Sequence, residues 1–246
     1  MATPAQPKTG YEKWQEDIKS ATGNPKWQMY DCEIRAAVGE YNRHLASAAG
    51  YLPLNWHLIK AIAWVETGAA DPLWASNPMQ IGMYNDPGLD GLLSGKEGGD
   101  LVMPASVKSQ LTRANARSMP AYNIRAAIGY LLMRLANFSI QSVPDTDRRT
   151  YEITVKPGDS LDKIAKKQGS TTDMLRALNP GIGILRPGQV VKYQKAAIRK
   201  VIVSWKPTTT ANIGRLYNTK DPETYAKKLD YALKAIQQVK ESVCAP

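Results

Sequence analysis

A chain of 246 residues, 43% hydrophobic and 22% charged, has room for one sizeable core with a satellite or for two small domains, and is too ordinary in composition to be a disordered polymer. It contains no run of about 18 uncharged apolar residues, which excludes a membrane-spanning helix. The net charge of +10 is uneven: residues 1–150 hold 15 basic and 14 acidic side chains, residues 151–246 hold 17 and 8, so the C-terminal part attracts polyanions such as nucleic acid, anionic membrane or the acidic peptides and teichoic polymers of a cell wall.

Along the chain, Met1–Lys26 is broken by Lys8, Glu12, Lys13, Glu16, Asp17 and Lys19, so it lacks the apolar core of a secretory signal. Cys32 and Cys244 are the only cysteines, which excludes a Cys-rich zinc cluster and a disulfide-dense scaffold and leaves open one bridge or two separate thiols. Ile34, Val38, Tyr41 and Leu45 recur at helical spacing, and Pro53 is expected to open a second helix whose stripe is Leu54, Leu58, Ile62 and Val65, ending at Gly68. Residues 71–104 are rich in Gly, Pro, Asn and Asp and predict a long loop region. Ile124, Ile128, Leu131, Leu132 and Leu135 restore a buried helix, and residues 144–149 form a charged linker.

From Tyr151 the pattern changes. Tyr151, Ile153 and Val155 alternate as a half-buried strand, and Pro157–Ser160 is a turn in which Asp159 or Ser160 caps a helix bearing Leu161, Ile164 and Ala165. Gly169 ends that helix, one of Ser170, Thr171 or Thr172 caps the next, and Asn179–Pro180–Gly181 stops it. Leu185–Gln189 turns the chain into the strand Val190–Tyr193. This βααβ order, with Gly158–Asp159–Ser160–Leu161, Leu178–Asn179–Pro180 and Leu185–Arg186–Pro187–Gly188–Gln189, resembles the LysM module. The resemblance implies binding of N-acetylglucosamine-containing glycan by Gly158, Asp159, Ser160 and Leu161 with Asn179, Pro180 and Ile182. The bland alternative is that Asp159 and Asn179 only cap and close turns.

Glu66 falls four residues after Ile62 and eight after Leu58, on the apolar stripe of its helix. A carboxyl facing an apolar wall has its charged form destabilised, as a general acid at neutral pH requires. Trp64–Gly68, Asn77–Gly82 and Tyr217–Asn218 with Tyr225 downstream resemble, in order, motifs of the lytic transglycosylase and goose-type lysozyme superfamily, and Asn123–Ile124 with Tyr130–Leu131 resembles its core helix. The resemblance implies Glu66 as the acid, Tyr217 orienting it or the sugar, and Thr67, Ser76, Met79, Gln80, Tyr130 and Asn218 in a sugar cleft, with a sugar hydroxyl as the expected partner of the Gln80 amide. The chain departs from the pattern in having Asn77–Pro78 before Met79 and only 14 residues between Glu66 and Gln80. Asp86, or else Asp90, is the candidate for a second carboxylate, which an inverting hydrolase uses to activate water at about 6.5–9.5 Å from the acid; a lytic transglycosylase closes an anhydro ring with the acid alone.

The motif halves flank the LysM stretch, so the expected fold is α+β: a mainly α-helical lysozyme-like domain in two parts, 1–150 and 196–246, with a small inserted LysM domain at 151–195. The last helices are expected to start at Thr210 or Asn212 and at Asp221–Pro222–Glu223, the latter with a core stripe of Tyr225, Leu229, Leu233 and Ile236. The expected function is cleavage of the β-1,4 bond between N-acetylmuramic acid and N-acetylglucosamine in peptidoglycan, with no metal and no cofactor. Made in the cytoplasm without a Sec signal in this chain, such a protein would be delivered to the periplasm or cell wall as an antibacterial effector or a phage lysin. An effector would have a secretion-system carrier and an immunity or inhibitor protein as further partners. The rivals are a non-catalytic peptidoglycan-binding protein and a basic nucleic-acid binder, the second disfavoured by the lack of any specific nucleic-acid motif.

Overall fold

The computed structural model describes residues 8–84 and 86–244; the first seven residues of the polar leader lie outside it. The chain forms two compact units, one of Met1–Asn137 with Ile202–Pro246, the other of Phe138–Val201.

The first unit is helical. In chain order it contains α1 (Gly10–Ser20), α2 (Asp31–Leu45), α3 (Trp56–Glu66), α4 (Pro87–Ser94), α5 (Gly99–Val102), α6 (Ala105–Lys108), α7 (Arg113–Ser118) and α8 (Pro120–Leu135), and after the second unit α11 (Thr210–Tyr217) and α12 (Pro222–Ile236). The stripe of α2 is buried as its spacing predicts, with Ile34, Val38, Tyr41 and Leu45 all within the core. Helix α3 starts three residues later than Pro53 suggested, because Asn55 caps it by accepting the His57 N–H at 2.9 Å. Seven of the eleven α3 residues, Leu58 to Trp64, are buried, and α2 and α12 pack against this helix, α12 packing on α11 as well. Glycines permit two close approaches: a Cβ on Gly129 would sit 2.8 Å from the Tyr41 hydroxyl, and one on Gly214 would sit 2.4 Å from the Pro222 carbonyl oxygen. Lys60 and Asp31 form a fully buried ion pair at 2.7 Å, beside which Cys32 is bridged to Cys244.

The stretch 71–104, expected to be loop, contains a 3₁₀ turn at Pro72–Ala75 and helices α4 and α5. Asp86 opens α4 as its cap, Pro87 occupies the first turn, and Gly95 closes it with a positive φ. These start and stop signals surround an element of eight residues, too short to show a helical period.

Strands β1 (Ala136–Pro144) and β4 (Ala196–Trp205) pair with each other, and carry the chain from the first unit into the second and back. Lys206 N–H donates to the Leu135 carbonyl at one end of this pair and Asp145 N–H to the Lys195 carbonyl at the other. Of the expected 144–149 linker only Pro144 belongs to β1, and residues 145–149 are irregular. The second unit also contains β2 (Tyr151–Thr154), α9 (Leu161–Gln168), α10 (Thr172–Leu178) and β3 (Val190–Tyr193). β2 and β3 are antiparallel, Tyr151 facing Tyr193 and Thr154 facing Val190, and Val155, Ile164, Ala165, Leu175 and Val191 form a small core. Ser160 and Thr171 cap the two helices, and Gly169 ends α9 in the left-handed conformation.

Candidate functional site

Glu66 is the last residue of α3. Four features fix that helix end. Trp64 donates to the Trp27 carbonyl at 3.1 Å, and Gly68, at φ +70°, lies under Trp27, so close that a Cβ would come within 2.7 Å of the indole. Thr67 Oγ1 donates to the Pro78 carbonyl at 2.9 Å, and Gln80 Nε2 donates to the Glu66 carbonyl oxygen. The Gln80 amide thus holds the main chain of the acid, where a sugar hydroxyl was expected. Gln80 adopts φ +49°, a left-handed conformation that a side chain of this size occupies only when its surroundings enforce it.

The enforcement comes from two buried asparagines. Asn123 on α8 accepts the Met79 N–H at 2.8 Å and donates to Asn77 Oδ1 at 2.8 Å and to the Ala116 carbonyl at 2.7 Å. Asn77 in turn donates to the Ile81 carbonyl at 3.0 Å. Asn77 is thus half of a pair of amides that shapes the 77–81 loop.

Burial pushes the Glu66 carboxyl up to about 7, against the opposing pull of a hydrogen bond from Tyr225 and the charge of Lys228. Its position at the negative end of α3 disfavours the carboxylate as well. Tyr225 Oη donates to Glu66 Oε1 at 2.6 Å. Asp221 and Pro222 start α12 so that Tyr225 lies in its first turn. Tyr217, expected to orient the acid or the sugar, makes no hydrogen bond to Glu66 and packs its ring on Tyr225 with centroids 6.1 Å apart and edge-on to Tyr130 at 5.7 Å. The buried Tyr217 hydroxyl has no hydrogen-bond partner among the described residues.

A cavity of about 250 Å³ opens here, lined by Glu66, Met79, Gln80, Ile81, Met83, Tyr84, Asp86, Tyr130 and Tyr217. Thr67, Ser76 and Asn218 do not line it. Asn218 accepts the Lys220 and Asp221 N–H groups in a turn before α12, Thr67 is engaged as described, and Ser76 ends the 3₁₀ turn at Pro72–Ala75. Asp86 lines the cavity, but both its oxygens are held by the main chain: Oδ2 accepts the Gly82 N–H at 2.7 Å and Oδ1 the Gly88 N–H at 2.8 Å. Asp90 pairs with Arg113 at 2.6 Å. Sequence reasoning did not place Tyr225 and Asn77 in the site. Both were named within the resembling motifs without a role: Tyr225 also lay on the apolar stripe of its helix, whereas Asn77, a polar residue in an apolar segment, carried a usable signal.

In the second unit, Gly158–Leu161 and Asn179–Ile182 are the expected glycan loops. Asp159 Oδ2 accepts the Lys156 N–H at 2.7 Å, and Ser160 Oγ accepts the Lys163 N–H. Asn179 both donates to the Lys192 carbonyl at 2.7 Å and accepts the Lys192 N–H at 2.9 Å, tying α10 to β3. These side chains shape the loops, Leu161 and Ile182 pack against the small core, and Gly158 and Pro180 are exposed. Among the described residues no cluster of His, Cys, Asp and Glu could hold a metal ion, and no helix is long and apolar enough to cross a membrane. No curated protein and no solved structure matches the chain. Residues 153–193 match the family model of the LysM domain, and the chain therefore carries a LysM domain, a peptidoglycan-binding module.

Proposed function

We propose that the helical unit cleaves the glycan strands of peptidoglycan, with Glu66 as general acid, while the LysM domain holds the enzyme on the wall. The observation that carries this reading is the Glu66 carboxyl, raised to about 7 and facing a cavity beside the unpartnered Tyr217 hydroxyl. A proton on Glu66 passes to the glycosidic oxygen as the bond breaks. Tyr225 keeps the carboxyl oriented, and Tyr217 gains from a sugar oxygen the hydrogen bond whose absence costs about 1–3 kcal/mol. The order of motifs on α3, the 77–81 loop, α8 and α11 is similar to that of lytic transglycosylases and goose-type lysozymes.

The second half of the reaction follows from the same residues. Water activation needs a second, basic carboxylate; main-chain N–H groups on both oxygens of Asp86 stabilise its charged form and weaken it as a base, and Asp90 is paired with Arg113. Glu66, deprotonated by the first step, is then the base that takes the proton of the muramic acid 6-hydroxyl as a 1,6-anhydro ring closes. The Cys32–Cys244 bridge suits an oxidising compartment such as the periplasm, where a delivered effector or lysin would act. Digestion of purified sacculi with mass identification of products tests the proposal. We expect anhydro-muropeptides from the native chain, and none from Glu66→Gln, which keeps side-chain volume but carries no acidic proton. Turnover by Glu66→Gln at the native rate excludes Glu66 as the acid.

A further inference from the structure

The cavity at Glu66 does not end at Asp86. Met83, Tyr84 and Asp86 also line an adjoining cavity of about 320 Å³, which Arg113 and Arg117 line as well. The two arginines are four residues apart and project from the same face of α7. Tyr84 and Met83, at the junction, are 81% and 45% exposed, an unusual display of large apolar surface beside two guanidinium groups. Arg113 is held by Asp90 at 2.6 Å, and Asp86 is held by main-chain N–H groups. Arg117 has no hydrogen-bond or ion-pair partner among the described residues, and its stem lies over Gly82, where a Cβ would sit 3.2 Å from Arg117 Cγ.

We propose that this second cavity is a subsite for a carboxylate of the peptide stem that hangs from the muramic acid lactyl group, with Arg117 as its cation and Tyr84 as the apolar platform at the entrance. This inference rests on the glycan-cleaving reading above. A strand lying across Glu66 carries its lactyl substituent to one side of the sugar, and an acidic peptide extending from it needs a cation not already engaged by a carboxylate. In this groove Arg117 is that cation. A planar guanidinium binds a carboxylate through two parallel hydrogen bonds, which gives direction as well as charge.

The same charge could come from a lactyl carboxylate exposed when the peptide is removed, so the test uses three soluble strands: one with its peptide stems, the same strand with stem carboxylates converted to amides, and a strand stripped of peptide. For the native chain we expect KM about fivefold lower on the peptide-bearing strand than on the amidated one, the size of a good exposed ion pair, and the stripped strand should behave like the amidated one. In Arg117→Gln the peptide-bearing and amidated strands should become equal. A native chain without preference, a preference retained in Arg117→Gln, or a stripped strand that matches the peptide-bearing one would each overturn the inference. Calorimetric binding of the same three strands to Glu66→Gln, with and without Arg117→Gln, reads the subsite without turnover. An Arg117-dependent preference there would sustain the subsite even if the native chain cleaved nothing, in which case the catalytic proposal alone fails.

Discussion

At the scale of single residues, the tyrosine beside the acid makes the most exposed claim. Tyr225 donates to Glu66 and favours its ionised form, while burial favours the protonated one and wins. A general acid loses activity as pH rises through its pKa, so the alkaline limb of the rate profile should fall near pH 7. Tyr225→Phe removes the one interaction that pulls that pKa down most, so the limb should move to higher pH while kcat drops for want of orientation. A merely structural role for Tyr225 would lower activity at every pH without moving the limb. The difference between Tyr217 and Tyr225 was not legible in the sequence, because which of two tyrosines meets a carboxyl depends on how α11 and α12 are packed. The anomaly of Glu66 itself was legible, since its apolar neighbours one and two turns back put the carboxyl on the face of α3 that the core covers.

At the scale of elements, the 77–81 loop is held by Asn123, reaching from α8. Asn123→Ala would leave the Met79 N–H and Asn77 Oδ1 without their buried partners, at a cost of about 3 kcal/mol, readable as a lower midpoint in a denaturant titration. Because Gln80 holds the Glu66 carbonyl from its constrained left-handed conformation, the same variant should lose activity below its unfolding range; unchanged activity would detach the loop from the acid. The long helices α2, α3, α8 and α12 were visible because their apolar periodicity spans several turns. Helices α4 and α5 were not, since eight and four residues rich in glycine owe their helicity to the α8 surface on which they pack. Strand β1 escaped notice for a related reason: Ala136 continues the apolar run of α8, and its partner β4 lies more than fifty residues later in the sequence. The LysM domain was legible in full because turn residues fix nearly every one of its boundaries.

At the scale of the whole molecule, the second unit is entered and left through a paired ribbon whose ends, Asp145 and Lys195, are hydrogen-bonded neighbours. Replacing residues 145–195 by a short Gly/Ser linker should therefore leave a folded helical unit that still cleaves soluble strands and binds sacculi less tightly. Loss of the helical fold, seen by circular dichroism, would make the LysM domain integral to the core; full sacculus binding without it would move the wall-binding role to the helical unit.

The Cys32–Cys244 bridge has a consequence for the integrity of the proposed catalytic pair. Glu66 and Tyr225 lie on opposite sides of the insertion in the sequence, and a single cut anywhere between them would ordinarily yield two separable fragments. The bridge turns residues 32–244 into a covalent ring, so one scission by a protease in the LysM domain opens the ring but does not divide the molecule. The nicked chain should migrate as one species without reductant and as two with it, and should retain cleavage of soluble strands until the bridge is reduced. In an environment crowded with hostile proteases, the helical unit would then keep its acid and its tyrosine on one connected molecule after its wall-binding domain had been breached.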